Sequence, residues 1–159
     1  MAFAYLKEIT EAAEKENKPF WQIVIEDDMR ERNVSYEQSF ETMRGMYQAM
    51  KEADAAYDPK LRSASGMVGG DGEKLEEFHK KKNRLIGDFL TEVMEKAVKM
   101  GESNACMKRI VAAPTAGSCG VIPAVLLTYE MQKNVSEDKL VEALFVAAGI
   151  GEVIAASAS

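Results

Sequence analysis

The sequence predicts an all-α protein, a single domain of about seven helices with two glycine-rich loops. Three observations predict it. Apolar residues recur at spacings of three and four through most of the chain, which places them on one face of a helix. No stretch alternates apolar and polar residues long enough for a strand, and the best candidate, residues 109–113, is too short to make a sheet alone. Helix-stopping residues punctuate the stripes at Asn17-Lys18-Pro19, Asn33-Val34-Ser35 and Asp58-Pro59.

Phe3, Leu6, Ile9 and Ala13 form the first stripe, with Lys7, Glu8, Glu11 and Glu14 between them. Pro19 lacks an N–H and therefore suits the first turn of the next helix. Phe20, Trp21, Val24, Ile25 and Met29 make the second stripe; Glu26, Asp27 and Asp28 lie opposite and read as a solvated face rather than an acid–base pair. Ser35 and Gln38 match a capping box. Phe40, Met43, Met46, Tyr47, Met50 and Ala53 carry the third helix to about residue 56, its methionines filling the core.

Gly66, Gly69, Gly70 and Gly72 crowd residues 61–72, a composition that favours neither helix nor strand. Such a loop can fold its N–H groups around an anion or serve as a flexible connector. It is not a P-loop, because no Gly-Lys-Ser/Thr follows. His79-Lys80-Lys81-Lys82-Asn83-Arg84 reads as a solvated helical segment, its histidine included. Leu85, Ile86, Phe89, Leu90, Val93, Met94, Ala97 and Val98 make the clearest stripe, with Gly101 expected as its left-handed cap. Residues 102–108 read as polar and irregular, and Cys106 as incidental.

Residues 121–132 are apolar on most sides and are expected to be buried. Ser136 is expected to cap the last helix, with Glu137 and Asp138 in its first turn. Gly149 and Gly151 cost about 1 kcal/mol each relative to alanine, and the expected return is close approach of another helix. Nothing after Ile154 covers the apolar end, so residues 1–159 are expected to be one domain truncated at its C-terminus.

Net charge is −6, which gives a nucleic-acid role little electrostatic support. No apolar run reaches the roughly 20 residues that span a bilayer, and no secretory signal opens the chain, so no membrane role is expected. The two cysteines are too few for a disulfide framework, and a cytoplasmic setting is the simplest reading. A single histidine excludes a histidine metal cluster within the chain.

Ala113-Pro114-Thr115-Ala116-Gly117-Ser118-Cys119-Gly120 is the most unusual stretch. Pro123, tolerated only in a first turn, starts a helix at about residues 119–122. The unpaired N–H groups of that turn favour an anion, and Gly117 and Gly120 leave the backbone open to one. Cys119 at the lip is expected to have a lowered pKa. A buried packing thiol among small residues is the alternative.

This stretch, with Ala143-Leu144-Phe145-Val146-Ala147-Ala148-Gly149-Ile150-Gly151 after it and Ser63-Ala64-Ser65-Gly66-Met67-Val68-Gly69-Gly70-Asp71 before it, resembles the α chain of the iron–sulfur-dependent L-serine dehydratases. That family removes water from L-serine and releases pyruvate and ammonia, using a 4Fe-4S cluster instead of pyridoxal phosphate. The resemblance implies that Cys119 is one cluster ligand and that an open iron acts as a Lewis acid on the serine hydroxyl. It implies that Ser65, Gly66, Gly69 and Gly70, with Thr115, Ala116 and Gly117, hold the substrate carboxylate. The proton-abstracting base is left unassigned, and His79 gains no role. The family's other cluster cysteines have no match here, so this chain alone is expected to be inactive and to hold no intact cluster. A serine dehydratase β chain and a homo- or hetero-oligomer are the implied partners, and serine catabolism toward gluconeogenesis the implied setting. The alternatives are a related desulfidase or hydroxy amino acid dehydratase, and, from another class, a non-catalytic helical interaction module.

Overall fold

A computed structural model describes residues 3–81 and 84–158; Lys82 and Asn83 of the expected basic segment lie outside the described residues. In chain order the elements are α1 (Leu6–Glu16), α2 (Phe20–Arg32), α3 (Tyr36–Ala55), α4 (Asp71–His79), α5 (Asp88–Ala105), a 3₁₀ turn (Ala116–Ser118), α6 (Val121–Lys133) and α7 (Glu137–Ser157). The class is all-α as expected, with seven α-helices and no strand among the described residues.

The helix ends follow from side-chain chemistry. Asn17, Asn33 and Asn134 stand just past α1, α2 and α6 with φ of 52°, 52° and 50°, a left-handed conformation that asparagine tolerates better than most residues. The capping box forms: the Ser35 N–H donates to Gln38 Oε1 at 2.9 Å and the Gln38 N–H to Ser35 Oγ at 3.3 Å. Pro19 and Ser136 occupy N-cap positions, but the Ser136 side chain makes no capping hydrogen bond. Gly101 is not a cap. α5 runs on to Ala105 because its last turns find polar partners inside the protein, with Glu102 and Ser103 both buried. At its other end α5 starts only at Asp88, and Leu85 is fully exposed.

The described residues divide into two compact units, one within Met1–Gly45 and Ser136–Ser159, the other within Met46–Val135. In the first, α1 and α2 pack on α7. Ile9, Ile23, Val24, Ile25, Phe40, Val141, Phe145 and Val153 form its core, each worth about 1.5–3 kcal/mol when removed from water. Gly149 gives the expected close approach: a Cβ there would stand 2.6 Å from Val24 Cγ2. The acidic trio of α2 is not a solvated face. Asp27 is buried and pairs with Arg30 at 3.0 Å, Glu26 pairs with Lys18 at 2.8 Å, and Asp28 holds Arg32 and the Ser39 hydroxyl. By length and composition alone α7 is long and apolar enough to cross a membrane, although Glu142 and Glu152 break its apolar run; Leu140, Val141, Leu144, Phe145 and Val153 of that helix are buried.

In the second unit α5 lies between α4 and α6. Tyr47, Met50 and Ala53 of α3 are buried there, while the Tyr47 hydroxyl donates to Glu130 Oε2 at 2.9 Å. α6 begins at Val121, so Pro123 falls in its first turn as expected. Its burial is one-sided. Pro123, Ala124, Leu127 and Thr128 are inside, whereas Val121, Val125, Tyr129 and Met131 stay exposed.

Candidate functional site

The glycine-rich segment is bonded to itself. The Ser63 N–H donates to the Val68 carbonyl at 2.9 Å, the Gly66 N–H to the Ser63 carbonyl at 2.8 Å and the Val68 N–H to Ser63 Oγ at 3.1 Å. The Ser65 hydroxyl lies 3.1 Å from that of Ser63 and accepts from the Met67 N–H at 3.4 Å. Gly69 and Gly70 turn the chain into α4 with φ of 133° and 86°, values closed to most L-residues. Arg62 fastens the entry, its Nη1 donating to the carbonyls of Pro59 at 2.7 Å and Leu61 at 2.6 Å. This is a folded loop and not a loose connector.

The start of α4, where the sequence suggests anion binding, is already filled by an anion of the protein itself. Glu102 Oε1 accepts from the Asp71 N–H at 2.6 Å, and Oε2 accepts from the Gly72 N–H at 3.2 Å and from the Tyr57 hydroxyl at 2.6 Å. Glu102 is 5% exposed, and its carboxylate is satisfied by these three donors. Burial pushes the Tyr57 hydroxyl well above its ordinary range, and the Glu102 carboxylate adds to the shift.

Glu102 ends a polar ladder along the α4–α5 contact. Glu95, Lys99 and Glu102 step by four and three residues down one face of α5. Lys99 Nζ reaches Glu95 at 2.7 Å and Glu76 of α4 at 2.8 Å, and it sits 5.3 Å from the centre of the Tyr57 ring. Hydrogen bonds from Lys99 and then Lys80 pull the Glu76 carboxyl down to about 2. His79 Nδ1 lies 2.9 Å from Glu95 Oε2, half-buried, so the histidine is part of this ladder and not of a solvated segment.

The cysteine-bearing turn follows the cis Ala113–Pro114 peptide. Thr115 and Ser118 cap each other, the Thr115 N–H donating to Ser118 Oγ and the Ser118 N–H to Thr115 Oγ1, both at 3.3 Å. Asn104 Nδ2 donates to the Ala116 carbonyl at 2.9 Å. None of these bonds uses the N–H of Ala116 or Gly117. Gly117 is open, with only Thr115 Oγ1 near at 3.8 Å from a built Cβ. Gly120 is the opposite case: a Cβ there would meet the Ala97 carbonyl oxygen at 2.5 Å, so this glycine admits α5 and not a ligand.

Cys119 is 1% exposed, packed with Ala53, Met100 and Ile110. Burial pushes its thiol up, the reverse of the expected lowering, because apolar neighbours penalise the thiolate more than the local backbone favours it. An iron–sulfur cluster needs thiolates at several corners. Among the described residues no three of His, Cys, Asp and Glu gather as a metal site, and Cys106 lies half-buried as the C-cap of α5. Among the described residues Cys119 offers one buried thiol, and no group of three such ligands forms around it.

Of the residues singled out in the sequence, Ser65, Gly66, Gly69 and Gly70 thus lie in one folded loop, and Thr115, Ala116, Gly117 and Cys119 in one turn. Sequence reasoning misses Glu102 and Asn104, the two side chains of α5 that hold loop and turn.

These features define an all-helical chain in which a glycine-rich loop and a cysteine-bearing turn are both fastened to the end of one helix. A family profile described as the serine dehydratase alpha chain matches residues 15–159, and the chain belongs to that family. It is 30% identical over 157 residues to the probable L-serine dehydratase, alpha chain, of Bacillus subtilis, covering 99% of this chain and 52% of that protein. It is 27% identical over 159 residues to the L-serine dehydratase, alpha chain, of Peptoniphilus asaccharolyticus, covering 93% and 51%. Over 64 residues it is 42% identical to L-serine dehydratase 2 of Escherichia coli, covering 40% and 14%. The chain spans about half the length of the first two of these curated relatives. No solved structure matches the chain.

Proposed function

We propose that this chain forms part of an L-serine dehydratase, which removes water from L-serine and releases pyruvate and ammonia, and that turnover belongs to the complete enzyme with a β chain. The observation that carries the reading is the family match over residues 15–159, which takes in both the glycine-rich loop and the cysteine-bearing turn. The Ala116 and Gly117 N–H groups, outside the Thr115–Ser118 capping pair, are the donors for the substrate carboxylate. Ser65, Gly66, Gly69 and Gly70 shape the other wall, since the donors at the start of α4 are occupied by Glu102. Cys119 is the one thiol of the turn that would ligate a 4Fe-4S cluster in the complete enzyme, once uncovered from Ala53, Met100 and Ile110.

The test is Cys119→Ala in the complete enzyme, reconstituted anaerobically with iron and sulfide. Alanine is nearly as small as cysteine, so the fold is expected to survive, as circular dichroism will report. Wild type is expected to show iron, visible absorption and pyruvate from L-serine, and the variant to lose all three. A folded Cys119→Ala enzyme that keeps its iron and turns over serine makes Cys119 a packing residue. A wild-type enzyme that yields no pyruvate overturns the dehydratase reading itself.

A further inference from the structure

The geometry points to Glu102 and Asn104, on the last turn of α5, as the positioning residues that set the glycine-rich loop and the cysteine-bearing turn at a fixed separation for substrate; this rests on the dehydratase reading above. The two anchors are of different kinds. Glu102 takes the first two N–H groups of α4, which fixes where Gly69 and Gly70 turn into that helix. Asn104 holds the Ala116 carbonyl, which fixes the Ala116–Gly117 peptide, whose N–H is that of Gly117, and with it the adjoining Ala116 N–H. Both anchors leave the last turn of α5, so the start of α4 and the cysteine-bearing turn are tied to the same short piece of backbone.

Neither side chain is asked to touch substrate. Glu102 is buried and fully engaged, with the Tyr57 hydroxyl as its third donor. Their effect is transmitted through backbone position, and misplacement on the scale of about 1 Å is enough to weaken binding and rate. A purely structural clasp predicts something else: fewer folded molecules, hence lower kcat with unchanged KM.

The experiment compares wild type, Glu102→Gln, Glu102→Ala and Asn104→Leu in the complete enzyme. Hydrogen–deuterium exchange is read on peptides covering Asp71 and Gly72, and kcat and KM are measured for L-serine. Glu102→Ala is expected to speed exchange at Asp71 and Gly72 and to raise KM for L-serine about tenfold. Glu102→Gln, which keeps the shape and part of the acceptor set, should fall between. Asn104→Leu is expected to raise KM while leaving exchange at Asp71 and Gly72 as in wild type. Faster exchange with an unchanged KM overturns the positioning role, and unchanged exchange in Glu102→Ala overturns the clasp itself. If Glu102→Ala does not fold, Glu102→Gln decides by the same readouts. A wild-type enzyme inactive on L-serine removes the dehydratase reading and the positioning role with it, while the exchange data still report on the clasp, so the two failures are told apart.

Discussion

Gly117 and Gly120 stand three residues apart in the same motif and differ in what surrounds them. Gly120 has an ordinary right-handed backbone, φ −85°, so alanine would be acceptable there on local grounds. The obstacle is the Ala97 carbonyl oxygen, backbone that cannot swing away, 2.5 Å from the Cβ that alanine would add. Gly120→Ala is expected to destabilise the protein by about 1–3 kcal/mol, read as a lower midpoint in thermal unfolding. Gly117→Ala meets nothing closer than 3.8 Å and should change stability by less than about 0.5 kcal/mol, leaving the midpoint near that of wild type. A Gly117→Ala midpoint that falls as far as that of Gly120→Ala would contradict this division. Cys119 between them illustrates how a residue's surroundings decide its chemistry. A thiol near a helix start is expected to ionise easily, yet Met100, Ala53 and Ile110 enclose it and burial raises its pKa instead.

Among the elements, α5 does the most to hold the second unit together, and it does so with charge on one face and apolar packing on the other. Toward α6 it offers Ala97 to the close approach of Gly120. Toward α4 it offers Glu95, Lys99 and Glu102. Lys99 is the junction: its side chain is 13% exposed and bridges Glu76 and Glu95 while lying over the Tyr57 ring. Removing it strands Glu95, buried, with His79 as its remaining partner in the ladder. Lys99→Met keeps the length of the side chain and removes the charge; it is expected to cost about 3 kcal/mol, because the buried Glu95 carboxylate loses its lysine and keeps only His79. Urea unfolding measures this, and a loss below about 0.5 kcal/mol would mean that the ladder is solvated in practice.

Across the whole molecule, the parts legible in the sequence are those written in local periodicity and local punctuation. The stripes of α1, α2, α3, α5, α6 and α7, the asparagine and proline stops and the Ser35–Gln38 cap all depend on residues within a few positions of each other, whereas α4 (Asp71–His79) carries no such stripe. The candidate turn is legible for the same reason, since Pro114, Cys119 and Pro123 lie within ten residues. The rest is held by bonds that leave no periodic trace. Glu102 meets Asp71 across 31 positions and Tyr57 across 45, and a polar residue at the end of a helix looks the same in sequence whether it faces water or a buried amide. Asp27 and His79 read as solvated for that reason, and Gly101 as a helix stop.

Charge also sets how the molecule as a whole meets acid. Most carboxylates that depart from their ordinary pKa are held below it: Lys99 and Lys80 hold Glu76 at about 2, and Lys74 holds Asp71 low. For Glu76 the folded value lies below the ordinary 4.5, so its contribution to stability is complete above about pH 4.5 and vanishes as pH falls to about 2. Its side chain is 41% exposed, and screening by water limits that contribution to about 1 kcal/mol. Glu152 runs the other way. Burial, and then Glu31, Asp27 and Asp28, push its carboxyl up, so its ionisation opposes folding and acidification relieves it. Comparison of wild type with Glu76→Gln in urea at a series of pH values separates the two. The gap between them should be constant from pH 7 down to about 4.5 and close by about pH 2, and a gap that persists at pH 2 would show that Glu76 acts through packing and not through its charge.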